Sequence, residues 1–144
     1  MTERLSFPAK LSPDDGSLLV KFRDFPEAIT FGATEAEAIS EAADCLEEAV
    51  AVRIAEGEPI PVPSRPRKGE KVVAVPAQMA AKAALYLAIT EAAISRSELA
   101  RRLGCDEKDV RRLLDPRHAS RLTRLSAALA VLGKTLVVDV RDAA

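Results

Sequence analysis

Aromatic side chains are scarce in this chain. It has no tryptophan, one tyrosine and four phenylalanines, 3% of its residues. Its core must therefore be filled mainly by Ala, Leu, Val and Ile, and the 48% hydrophobic content is enough for that. There is one histidine, His118, and the two cysteines, Cys45 and Cys105, lie far apart. A tetrahedral zinc site would need both cysteines, His118 and a carboxylate, and the spacing of these residues suggests no such site. A disulfide is disfavoured in a reducing compartment. Both thiols are expected to act as small buried hydrophobes, with no metal and no cofactor. No apolar run approaches the roughly 18 residues of a membrane-spanning helix. The opening residues MTERLSFPAK lack the apolar centre of a secretory signal. These absences lead us to expect a soluble, cytoplasmic protein without a membrane partner.

What is present is unevenly distributed. The 144 residues fit one ordinary domain or two small ones. The formal net charge of −1 conceals a division: residues 1–64 hold 5 Lys and Arg against 13 Asp and Glu, residues 65–76 hold 4 against 1, and residues 77–144 hold 12 against 8. An acidic part joined to a basic part suggests two partners of opposite electrostatic character.

The acidic part begins with period-two alternation, the signature of strands. Leu5, Phe7, Ala9 and Leu11 form one run; Leu18, Val20 and Phe22 form a second, with Lys21 and Arg23 on its other face. Ser12 to Gly16, SPDDG, has turn composition. Asp24-Phe25-Pro26 breaks the second run, and Ala28 to Phe31, ended by Gly32, makes a third strand of an antiparallel meander. Thr34 to Glu37 is a capping box opening a long helix. Ile39, Ala43, Leu46, Val50 and Ile54 form its apolar stripe, and Gly57 stops it. The four prolines between Glu58 and Glu70 make an extended connector. Val72 to Val75 reads as a fourth strand, ended by Pro76 before the next helix.

The basic part reads as helices. One runs from Ala77 to about Ala93, and a capping box at Ser95 to Glu98 opens another over 97–103, ended by Gly104. Asp106, with Asp109, caps a helix to about Leu114, stopped by Asp115-Pro116. Ser120 is expected to cap a helix from Arg121 to Leu132, and the β-branched Thr135–Val140 reads as a terminal strand. The fold expected is α+β: an N-terminal antiparallel sheet with one long helix, then an all-α domain with a terminal β-strand. The boundary falls at 75/76, with the connector 58–70 in the first domain.

Residues 96–114 fit a helix-turn-helix. Ala100 is the small residue where the helices cross, Gly104 the turn glycine, and Leu99, Leu103, Val110 and Leu113 the shared core. That core turns Lys108, Arg111 and Arg112 outward, the positions that enter a major groove, where arginine pairs bidentately with guanine. Arg96 and Ser97 could hold phosphate at a helix N-terminus, and Arg117, Arg121 and Arg124 could reach the flanking backbone. Capping explains Asp106 and Asp109 near this surface, but Glu107 has no evident role there. Asp115, His118 and Ser120 share a loop with no strained elbow and no Gly-rich oxyanion turn, so no catalytic residue is assigned to them. His118 is expected to cap or to face phosphate.

The segment VKFRDFPEAITFGATEAEAISEAADCLEEAV resembles the N-terminal domain of HicB-family antitoxins, through Asp24, Pro26, Thr30, Gly32, Thr34, Glu37 and Ala38. The proline run GEPIPVPS, Gly57 to Ser64, extends the resemblance to about residues 5–76, while Glu27-Ala28 replaces the family's usual glycine after Pro26. The resemblance implies a partial ribonuclease-H-like fold that is not a nuclease. It also implies a HicA-like RNA-cleaving toxin as partner and a helix-turn-helix companion domain that binds operator DNA. The strand segments offer almost no inward carboxylates for a two-metal nuclease. The orphan terminal strand favours a homodimer or higher assembly, which would place two recognition helices on a palindrome. A stand-alone repressor with a ligand-sensing or oligomerising N-terminal domain is the alternative, and an enzyme on the partial nuclease fold is a third reading.

Overall fold

The structure, a computed structural model, describes residues 5–142. The alternating segments form strands β1 (Ser6–Asp14), β2 (Ser17–Phe22) and β3 (Ile29–Gly32). The expected five-residue turn tightens to Asp15-Gly16, whose positive φ angles of 48° and 80° suit a two-residue hairpin. Pro13 is therefore inside β1, paired with Leu18. It lies beyond Lys10, the last residue paired with the neighbour on the other side, where a missing N–H is tolerated.

Helix α1 (Glu35–Glu56) starts at Thr34, whose hydroxyl accepts from the Glu37 amide at 3.2 Å. The Glu37 carboxylate accepts from the Ala33 amide at 3.3 Å, one residue before the N-cap. The apolar stripe is rotated from the expected one. Leu46, Val50 and Ile54 are buried as the spacing predicts, but Ala38, Ala42 and Ala49 complete the row, and Ile39 and Ala43 sit at its half-buried edge. Gly32 is the cause. A Cβ there would lie 2.4 Å from the Ala38 amide nitrogen, so only glycine lets β3 press against the first turn of α1. That contact turns the small residues Ala38 and Ala42 inward.

The proline-rich segment returns the chain to β4 (Glu70–Ala74), which pairs antiparallel with β1 and completes the sheet order β3-β2-β1-β4. The connector is strapped down along its length. The Asp24 carboxylate accepts from both the Ser64 amide and hydroxyl. Arg53 donates to the Pro59 carbonyl and Arg23 to the Arg65 carbonyl. Arg53 also stacks over Phe25, 4.5 Å from the ring centroid, and Phe25 meets Phe7 edge-on.

Four further helices follow: α2 (Ala77–Ala92), α3 (Arg96–Leu103), α4 (Glu107–Leu114) and α5 (Leu122–Val131). Two hydrophobic clusters result. One joins the sheet and α1 around Phe7, Phe22, Phe25, Leu46 and Val50. The other joins α2 to α5 around Leu85, Leu99, Val110, Leu113 and Leu125. Helix α2 serves both. Met79 and Ala83 enter the first cluster, while Ala81, Leu85 and Ala88 enter the second, as the helical period allows for opposite faces.

Two expectations at the C-terminal end are corrected. Ser120 does not cap α5; Arg121 is the N-cap residue, and Ser120 bonds to α2 instead. Thr135–Val140 forms no strand in the single chain, and Val137, Val138 and Val140 are exposed. The composition suits a strand, but a strand needs a paired neighbour and the rest of the described chain presents none to this segment.

Candidate nucleic-acid interface

Helices α3 and α4 are eight residues each and are joined by a short turn. Ser95 caps α3, its hydroxyl accepting from the Glu98 amide at 3.0 Å. Gly104 ends α3 at φ 67°, with the Gly104 amide donating to Arg101 O and the Cys105 amide to Ala100 O. A Cβ at position 104 would meet nothing within 4 Å, so the left-handed dihedral, not lack of room, calls for glycine. Leu99, Ala100, Val110 and Leu113 are buried in one cluster, and Leu103 packs half-buried against it. The Asp109 carboxylate accepts from the Asp106 amide at 3.2 Å and closes the start of α4.

With Val110, Leu113 and Leu114 buried, Lys108, Arg111 and Arg112 occupy the exposed side of α4. Arg112 lies 3.7 Å from Asp109 on its own helix. Among the described residues, Lys108, Arg111, Arg117, Arg121, Arg124 and Arg96 have no side-chain hydrogen bond or ion pair, and all are exposed. Arg96 and Ser97 open α3, but the Ser97 hydroxyl donates to Glu107 at 3.0 Å. That bond gives Glu107 the role the sequence left blank and takes up the hydroxyl expected to face phosphate. Arg117 and Arg121 lie in the loop after α4. Arg124 lines an open cleft of about 600 Å3 with Leu103, Cys105, Asp109 and Leu113, beside the α3–α4 turn.

Two other basic residues on α3 are already engaged. Arg101 and Arg102 both bond Glu98, and these bonds hold its carboxyl down at about 2. Burial pushes the Cys45 and Cys105 thiols up, away from reactivity. The Asp115, His118 and Ser120 grouping has no relay geometry. Asp115 accepts from the Arg117 amide at 2.9 Å, and His118 Nδ1 lies 3.3 Å from Ser120 Oγ. Sequence reasoning missed the residues that hold this loop, Gln78 and Lys82 on α2. The available signal was a lysine in the apolar row Met79, Lys82, Leu85 of an alanine-rich helix.

In the acidic half, the motif residues mostly build the fold. Gly32 touches Ala38, Thr34 and Glu37 cap α1, and Asp24 anchors Ser64. Glu41, Asp44 and Glu48 are exposed on α1 with no side-chain partner among the described residues. Among those residues no three His, Cys, Asp or Glu side chains are grouped to hold a metal ion, and no helix is long and apolar enough to cross a membrane.

An acidic sheet-and-helix unit carrying a basic helical unit offers surfaces for binding, and the comparisons place that arrangement among the antitoxins. The family described as the HicB-like antitoxin of bacterial toxin–antitoxin systems matches residues 6–84, from the first residue of β1 into α2, and the chain belongs to this family. Similarity to whole proteins runs further. The chain is 36% identical to Antitoxin HicB 2 of Photorhabdus laumondii over 94% of its own length and 96% of that protein. It is 35% identical to Antitoxin HicB of Escherichia coli over 92% and 96%, and 30% identical to Antitoxin HicB of Pseudomonas fluorescens over 95% and 94%.

Proposed function

We propose that this protein is a cytoplasmic type II antitoxin with two roles, both performed by binding and neither by catalysis. Residues 1–75, closed below by α2, bind and neutralise a HicA-like mRNA-cleaving toxin. Residues 76–144 form a helix-turn-helix domain that binds operator DNA and represses the protein's own operon. Family membership supports toxin neutralisation, and the unpaired acidic face of α1 suits a basic partner, where complementary charge speeds encounter. The observation that carries repression is the exposed cationic side of α4, with Lys108 and Arg111 free of partners among the described residues, fixed outward by Val110, Leu113 and Leu114 behind the Gly104 bend. The exposed Val137, Val138 and Val140 support pairing of the tail with a second copy, hence a homodimer.

Co-expression with the neighbouring open reading frame tests toxin neutralisation, since a small basic protein should co-purify and lose its toxicity. Mobility shifts on the upstream DNA test repression. Arg111→Ala should weaken binding about 5- to 150-fold, the ~1–3 kcal/mol of a base contact, and reduce the salt slope by about 1 if the contact is instead to phosphate. Arg112→Ala should cost less, because Arg112 must first leave Asp109. Toxin neutralisation should survive both changes. Wild-type shifts from both variants would overturn the assignment of α4.

A further inference from the structure

Gln78 and Lys82 stand about one turn apart on α2, and both reach Ser120 in the loop between α4 and α5. The Gln78 amide takes both backbone groups of that residue: Nε2 donates to the Ser120 carbonyl at 3.1 Å, and Oε1 accepts from the Ser120 amide at 3.0 Å. Lys82 Nζ donates to Ser120 Oγ at 2.8 Å. It also donates to the Arg112 carbonyl at 3.1 Å and the Leu113 carbonyl at 3.0 Å. Those two carbonyls belong to the last turn of α4, where helical carbonyls run short of intrahelical partners and a positive charge is favourable; the Arg112 carbonyl also accepts from the Asp115 amide at 3.2 Å.

Lys82 is the one charged residue among the buried described residues, at 0% exposure. Its three acceptors match the three protons of an ammonium group, so it holds them as a cation and has no lone pair with which to activate Ser120. Burying a cation is costly, and an apolar residue of similar length would fill the space without that cost. What the lysine and the glutamine supply is direction. Together they fix the end of α4 and the following loop to one rigid helix through five hydrogen bonds. Arg112 carries one of the clamped carbonyls and Arg111 lies just before it, and Arg117 and Arg121 lie within the clamped loop or at its end.

We infer that Gln78 and Lys82 are positioning residues for nucleic-acid binding: they hold the arginines of α4 and those of the 115–121 loop in one register, so that both sets meet a single duplex together. The inference rests on the DNA-binding reading above. It adds to that reading two residues of α2 that touch no DNA themselves, and it predicts that their effect passes through Arg117 and Arg121.

The test is a cycle on the full chain, with dissociation constants for the upstream duplex read by fluorescence anisotropy well below the thermal midpoint. Gln78 is exposed, so Gln78→Met removes two bonds of the clamp and leaves the cores untouched. It should weaken binding about 3- to 10-fold, the net worth of about one hydrogen bond. In a chain already carrying Arg117→Ala and Arg121→Ala, the same change should cost less than about twofold, the non-additivity expected of residues acting through one another. A merely structural role would lower the thermal midpoint and leave the affinity of the folded chain alone. If the wild-type chain binds and Gln78→Met stays within about twofold of it, or if the loss is undiminished in the doubly substituted chain, the clamp inference is overturned and the DNA-binding reading stands. If the wild-type chain binds no upstream duplex, both are overturned.

Discussion

Replacing Gly32 by alanine should unseat α1 from the sheet. The added Cβ would lie 2.4 Å from the Ala38 nitrogen, 2.6 Å from the Ala38 Cα and 2.8 Å from the Glu37 carbonyl carbon. Carbon atoms in contact sit about 3.5–4.0 Å apart, so the deficit is about 1 Å at three atoms. All three are backbone atoms in the first turn of a helix, and no rotamer change can move them away. That turn is held by the Thr34 cap and by the Ala38 amide bonded to Thr34 O at 2.8 Å. Relief therefore requires lifting the start of α1, which loosens Ala38 and Ala42 where they pack in the core. Overpacking typically costs about 1–3 kcal/mol, and an immovable neighbour puts this case near 3. At about 2–4 °C per kcal/mol for a chain of this size, the melting midpoint should fall by about 6–12 °C. Thermal and urea melts of the full chain by circular dichroism measure it. A midpoint within about 1 °C of wild type, well under the shift expected of even 1 kcal/mol, would refute the close packing of β3 on α1.

Asp24→Ala should release the connector from the turn after β2. Loss of both bonds to Ser64 should cost about 1–3 kcal/mol and speed tryptic cleavage at Arg67 and Lys68, Arg65 being shielded by the following Pro66; an unchanged cleavage rate would show the strap to be dispensable. Acid should weaken the fold through three carboxyls: Glu27, held low by Arg53, Glu70, held low by Arg23, and Glu98, held at about 2 by Arg101 and Arg102. Their folded pKa values lie below the ordinary 4.5, so the unfolded chain binds more protons in that window and stability rises with pH across it. The contribution is present above about pH 4.5 and fades as the pH falls toward 2. It is modest because these groups are largely solvated. Urea midpoints should fall in order from about pH 6 through 4.5 to 3, and Glu98→Gln should flatten the decline; equal midpoints would refute the assignment.

Local patterns in the sequence carried the elements, and long-range contacts decided the rest. Alternation at Phe7, Ala9, Val20 and Phe22 was enough to place strands, and the spacing of Val110 and Leu113 was enough to turn Arg111 and Arg112 outward. The rotation of the α1 stripe was hidden because it depends on Gly32 touching Ala38 across the β3–α1 junction, and periodicity within one helix does not report its neighbour. Ser120 looked like an N-cap because it is a serine before a helix; Gln78 and Lys82, about 40 residues earlier, claim it instead. The Ser97–Glu107 bond joins the starts of two helices and likewise has no local signature. Thr135–Val140 misled because β-branched composition measures suitability for a sheet, while sheet formation also needs an available edge.

Helix α2 is one rod claimed by both halves of the molecule, since Met79 and Ala83 face one way and Leu85 and Ala88 another. Cutting the chain at Pro76 thus yields no clean pair of modules. The upstream piece loses the lid over its interior, and the downstream piece keeps a greasy flank turned to water, an invitation to stick to its own kind. Whatever separates the acidic half from the arginine-bearing half opens both interiors at once.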